Sequence, residues 1–321
     1  MPGHRGNWRK ESTTAPSLLC KSCHDLDFLL WMLCSPAKGS KAHPHLPVSL
    51  TSTGSLKHFR KARKPKDAGT ATNCLQCPIQ KTCIYSAPRI YHDKQLAKGN
   101  TDWPVDIVNP EIESCYTANG ADAARSMLFY TLSADYDART SVRDIEERPW
   151  YGRCVWESDN DVCDDQYVTI TWDDEPEVEG SPELAQYAKT ASFHMIAHTE
   201  KQCERRGWIY GSQGEISYDG STITVNDFAS ETTQQHHPPR PGGGHGGGDD
   251  GLTKQFLAAI TAVKDHGMSV EEAQSEHLGC TLEEIIRSHA LVFAAEEARR
   301  ESSVVHWKSW WSERVEGKVA A

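Results

Sequence analysis

Gly207-Trp208-Ile209-Tyr210-Gly211-Ser212-Gln213-Gly214-Glu215-Ile216-Ser217-Tyr218-Asp219-Gly220-Ser221-Thr222-Ile223-Thr224-Val225 is a set of β-prone runs separated by glycine turns. Gly211-Ser212-Gln213-Gly214 and Asp219-Gly220-Ser221 have the composition of hairpin connections. Just upstream, Lys189 to His198 alternates Ala191, Phe193, Met195 and Ala197 on one side. Strands in quick succession, with no helix between them, pair antiparallel; a parallel βαβ unit needs a crossover helix. Two further runs are β-prone. Leu46 to Thr53 ends at Gly54, and Gln166-Tyr167-Val168-Thr169-Ile170-Thr171-Trp172 alternates β-branched residues. The class is therefore α+β, read as one domain over residues 1–321.

Helices surround these strands. Apolar residues at 26, 29, 30 and 33 recur at helical spacing and predict a buried helix beginning near His24. Ala121 to Ala134 places Ala124, Met127, Leu128 and Leu132 on one face. Ser141 is a plausible N-cap for a short helix ending before Pro149. Leu252 to Lys264 is amphipathic and stops at Gly267, and Ser269 with Glu272 forms a capping box. Thr281 to Arg300 is expected to turn Leu282, Ile285, Ile286, His289, Phe293 and Ala294 inward, with His289 as a core histidine. Residues 55–120 read as a loop-rich, cysteine-containing insertion, and 229–250 as a flexible Gly/His-rich loop.

Composition narrows the function classes. The chain has 321 residues, 38% hydrophobic and 25% charged, as soluble globular proteins do. A formal net charge of −11 argues against nonspecific nucleic-acid or membrane binding by the whole surface. No apolar run is long enough for a transmembrane helix, and Met1 to Trp8 lacks a signal-peptide core, so the expected compartment is the cytoplasm. Eleven cysteines, an odd number, disfavour a fully disulfide-paired framework.

Two clusters carry chemistry. Lys21-Ser22-Cys23-His24-Asp25-Leu26-Asp27 opens the first helix, and His24 and Asp27 share its first turn. An imidazole and a carboxylate there can relay a proton, or they can simply cap the helix. Cys74-x-x-Cys77-x5-Cys83 offers three thiolates for a structural zinc, with Cys23, Cys115, Cys154 or His92 as the fourth ligand. The same residues also read as packed reduced thiols. A redox CxxC ranks last, because no thioredoxin-like strand precedes it. Six of the ten residues Lys57 to Lys66 are Lys or Arg, which is either a solvated loop or a nucleic-acid contact. Asp159, Asp161, Asp164 and Asp165 lack EF-hand spacing and read as a polar turn. Gly242-x-Gly244-x-x-Gly247 follows Pro-Pro-Arg-Pro rather than a strand, so it is not a dinucleotide loop.

His24-x-x-Asp27 ahead of an apolar helix resembles the His-x-x-Asp element of the Gfo/Idh/MocA family of NAD(P)-dependent oxidoreductases. Other stretches agree in order: Gly6-Asn7-Trp8-Arg9, Cys74-Leu75-Gln76-Cys77-Pro78 through Cys83-Ile84-Tyr85-Ser86-Ala87, and Arg148-Pro149-Trp150-Tyr151-Gly152-Arg153-Cys154. So do Gly207 to Ile216, Gly242 to Asp249 and Arg287-Ser288-His289-Ala290. The resemblance runs from about Gly6 to Trp311 and covers only the substrate-binding half of such an enzyme. It implies an open, mainly antiparallel sheet with helices packed on one face. It also implies NAD or NADP in full-length relatives, and a sugar, sugar acid or cyclitol oxidised at CH–OH. By the same resemblance His24 moves the hydroxyl proton and Asp27 orients it or bonds the substrate, while Trp8, Arg9 and His245 line the substrate pocket. Where the family often has an aspartate four residues before the histidine, this chain has Cys20; Lys21 beside it supplies charge. No Glu-Lys-Pro turn and no nucleotide loop is present. The expectation is a truncated half, inactive alone, with a homo-oligomer through the sheet face. The competing classes are a metal-stapled nucleic-acid module using residues 57–66 and a protein-interaction subunit.

Overall fold

The computed structural model describes residues 6–36, 40, 42–175, 185–199, 204–242 and 244–317. Its strands are β1 (Ser49–Ser55), β2 (Asp165–Trp172), β3 (Lys189–Ile196), β4 (Gly207–Tyr210), β5 (Gly214–Tyr218), β6 (Ile223–Asp227), β7 (Thr232–His236) and β8 (Val305–His306). They form two four-stranded sheets, ordered β3-β2-β1-β8 and β4-β5-β6-β7, with every pairing antiparallel. The helices are α1 (Cys23–Cys34), α2 (Ile112–Ser133), α3 (Val142–Glu147), α4 (Gly248–His266), α5 (Val270–Ala273), α6 (Leu282–Glu301) and α7 (Trp307–Trp311). The α+β class holds. The single domain expected over 1–321 instead divides into two compact units, Met1–His198 with Ile286–Ala321, and Thr199–Ile285. No helix among the described residues is long and apolar enough to cross a membrane.

In the first unit the period of two decides which strand face is buried. Gln166, Val168, Ile170 and Trp172 of β2 turn inward, as do Leu50 and Ser52 of β1. Opposite pairs such as Leu50 with Ile170 and Val168 with Phe193 follow from the register. Leu18, Leu26, Leu30 and Cys34 of α1 and its lead-in turn share this core with Leu291, Ala294, Ala295 and Ala298 of α6. Trp307 and Trp310 pack back into it, stacked 5.8 Å apart.

Helix α6 buries Ala294 as expected, but together with Leu291 and Val292 rather than with the other residues predicted to face inward. Leu282, Ile285, Ile286, His289 and Phe293 are exposed, Phe293 by 52%, while Ala290, Ala294, Ala295 and Ala298 are buried. Helix–sheet separation depends on the side chains at the contact, and alanines let a helix approach closely. A buried polar tie fixes the choice. Gln166 Nε2 donates to Glu296 Oε1 at 2.8 Å, and Arg299 donates to Glu296 Oε2 at 2.7 Å.

The cysteine-containing insertion has a core of its own, built from Tyr91, Val105, Ile112, Leu128, Leu132 and Tyr151 among others. The loop-rich stretch expected over 55–120 gives way to α2 from Ile112, because Ile112 is fully buried and anchors a turn that lacks apolar periodicity. Gly120, at φ 82° and ψ 176°, kinks the helix there.

The second unit carries the other sheet and a small core of Ala259, Ala262 and Ala273. The loop expected over 229–250 contains β7, which pairs along β6, and the first turn of α4. Leu252, Phe256 and Ile260 of α4 are exposed, whereas Ala259 is buried. Ser269 and Glu272 form the reciprocal capping box that their spacing predicts.

Candidate functional site

The apolar ladder at 18, 26, 30 and 34 holds α1 against the sheet and leaves Lys21, His24, Asp27, Phe28 and Trp31 facing outward. No side chain caps the helix at Ser22, and Asp25 is the acid of its first turn. His24 is 50% exposed. Its Nε2 lies 3.4 Å from Asp25 Oδ2, so the ring pairs with Asp25 rather than with Asp27. Two positions explain the difference: Asp25 is adjacent and half-buried, while Asp27 points into solvent. Phe28 and Trp31 continue the strip, with ring centroids 6.2 Å apart.

Trp8 joins this strip through Lys21, whose Nζ sits 3.6 Å from the indole centroid, a cation–π contact. Arg9 does not face a ligand. It is 2% exposed, its Nε donates to Asp159 Oδ1 at 2.7 Å, and its terminal nitrogens donate to the carbonyls of Gly6 and Ile145. A buried guanidinium needs this full set of acceptors, so Arg9 is a clamp between distant segments. His245 lies on a one-turn 3₁₀ segment, Gly244–Gly247, in the second unit, and its side chain lies outside the described residues.

Cys74, Cys77 and Cys83 converge on one small cavity, and Cys154 joins them. The fourth thiol arrives through an isolated antiparallel bridge between Asn73 and Arg153. Cys74 N donates to Gly152 O at 2.8 Å and Cys154 N to Thr72 O at 2.7 Å. Both cysteines line the cavity. Asn73 turns to the other side, where its Nδ2 donates to Leu132 O at 2.9 Å. Ala68, Ile79, Tyr85, Val155 and Trp156 supply an apolar wall. Burial, reinforced by Cys83 and Asp164, pushes the Tyr85 phenol above its ordinary range. As the side chains stand, no three His, Cys, Asp or Glu among the described residues converge tightly enough to hold a metal ion.

Beside this cavity an aromatic group includes two histidines. His58 and His198 stack at 4.7 Å, and His58 meets Phe59, Tyr85 and Trp156. Burial first, and then His198, hold the His58 imidazole below its usual range. The basic run beginning at Lys57 is anchored here. The buried Asp164 carboxylate accepts the backbone N–H groups of Lys57, His58 and Phe59 at 2.7, 2.7 and 2.8 Å. Lys61 and Lys64 pair with Glu157, and Lys57 with Asp165. The acidic turn is thus distributed: Asp159 to Arg9, Asp161 to Lys10, Asp164 to the backbone, Asp165 to Lys57 and His194. Lone His58 in a basic run carries no sequence signal for an aromatic cluster; only the return of residues 154–156 and 198 creates it.

No protein-family model, no curated protein and no solved structure matches this chain.

Proposed function

We propose that this chain is the substrate-binding half of an NAD(P)-dependent oxidoreductase that oxidises a CH–OH group of a sugar, sugar acid or cyclitol. The supporting observation is His24 on the outer face of α1, half exposed, with the Asp25 carboxylate 3.4 Å from Nε2. Oxidising a carbinol removes a hydride from carbon and a proton from oxygen. The hydride acceptor would be a nicotinamide held outside the described residues, which would supply two-electron redox chemistry when bound. His24 takes the hydroxyl proton, and Asp25 stabilises the imidazolium that results. Lys21 adds positive charge near the developing oxyanion. Trp8, Phe28 and Trp31 offer aromatic faces to the apolar side of a sugar ring. The antiparallel pairing of every strand among the described residues supports reading them as the substrate half.

The test is saturation-transfer NMR on the full chain against monosaccharides, sugar acids and inositols. Weak binding of one polyol class is expected, lost in Trp8→Ala and reduced in His24→Ala. Absence of transfer from every polyol ends this reading. An NAD(P)H fluorescence titration of the same chain should stay flat, and micromolar binding overturns the division into halves.

A further inference from the structure

We propose that Cys74, Cys77, Cys83 and Cys154 form a tetrathiolate site for a thiophilic metal centre, either a single zinc ion or an iron–sulfur cluster. Three separate observations point to it. First, the four sulfurs come from a turn, a following loop and a segment some seventy residues on, yet they line one cavity.

Second, residues 74–86 contain no helix longer than three residues. Successive turns hold them together, with Cys77 N to Cys74 O, Gln80 N to Cys77 O, Cys83 N to Ile79 O and Ser86 N to Cys83 O. A loop folded this way places three thiols around a point without regular structure to support them, which is the usual condition of a metal-stapled knuckle. Third, the bridge at Asn73 and Arg153 is braced on its far side. Arg153 is paired with Asp135 and donates to Glu157 O at 2.8 Å, and Asn73 is fastened to the end of α2. The bracing fixes the backbone of both Cys74 and Cys154, the two buried thiols of the four.

The side chains as they stand are not gathered around one point. A cysteine sulfur moves by about 3 Å between staggered χ1 rotamers, and loading either centre requires movement of that kind. Both ligands bind thiolates, so loading either one releases the thiol protons, and both gain from the apolar wall of Ile79, Tyr85, Val155 and Trp156.

The experiment is elemental analysis of the full-length chain purified anaerobically without chelator. About one zinc per chain identifies the single-ion site; about four irons with matching sulfide identify the cluster. Cys77→Ser and Cys154→Ser lose the metal, whereas Cys115→Ser, which lies outside the cavity, keeps it. Because Cys154→Ser risks misfolding, wild-type protein is also titrated with an organomercurial, and metal release should track the loss of about four thiols. Wild-type protein that is metal-free and takes up neither Co2+ nor a reconstituted cluster overturns the proposal. So does metal retained at full stoichiometry in Cys154→Ser.

Discussion

Replacing Gly152 with alanine tests how tightly the bridge beneath the cysteine cavity is built. A Cβ at this position falls inside the Leu132 carbonyl, 2.6 Å from its carbon, and 2.9 Å from Asn73 Nδ2. Both neighbours are fixed: one is backbone at the end of α2, and the other is a fully engaged, buried amide. Relief requires the two segments to part by well over about 1 Å, on the order of an overpacked core site. That movement stretches Cys74 N to Gly152 O, Cys154 N to Thr72 O and Asn73 Nδ2 to Leu132 O, now 2.8, 2.7 and 2.9 Å. At roughly 1 kcal/mol for each bond, plus about 1–3 kcal/mol of steric strain, the expected loss is about 4–6 kcal/mol.

Urea unfolding followed by tryptophan fluorescence is the assay. Of the ten tryptophans only Trp208 lies in the second unit, so the signal reports the first. With a slope of about 3 kcal/mol per molar urea, the midpoint should fall by more than about 1 M. Gly251→Ala, in α4 with open space around it, should leave the tryptophan transition where it was. A Gly152→Ala midpoint within about 0.2 M of wild type would refute the packing argument.

Two further predictions concern the segment that carries the basic run. Asp164→Asn keeps the shape but loses the charge and one acceptor for the Lys57, His58 and Phe59 amides, and should cost about 3 kcal/mol in urea. Asp161→Asn, half exposed, should cost less than about 1 kcal/mol, and equal effects at the two sites would discredit the assignment. The second concerns pH. His58 has a native pKa below that of the unfolded chain, lowered by burial and then by His198, with Asp164 opposing and Arg63 assisting. Between the two values the unfolded state binds more protons, so stability is complete above about pH 6.5 and declines as pH falls below it. His58→Asn should flatten the decline in urea midpoint between pH 7.5 and 5.5; an unchanged pH dependence would count against it.

Short-range chemistry made much of this molecule readable from its sequence. The start of α1 near His24, the Ser269–Glu272 capping box and the glycine-turn hairpins of β4 to β6 depend on residues within a few positions of each other. Antiparallel pairing followed from the same succession of runs. The tertiary structure decided what depends on distant partners. Most of the large residues expected to face inward on α6 are exposed, since Leu291, Val292, the alanines and the Gln166–Glu296–Arg299 tie set its orientation. Arg9 became a buried clamp because Asp159, 150 residues away, meets it. His24 found Asp25 rather than Asp27 because exposure is set by the packing of α1, not by spacing along it. Cys154 reaches the cavity lined by Cys74, Cys77 and Cys83 only through a long-range backbone bridge. Turns and caps are local free-energy choices, whereas which face is buried and which thiols meet depend on loop closures whose outcome local sequence does not encode.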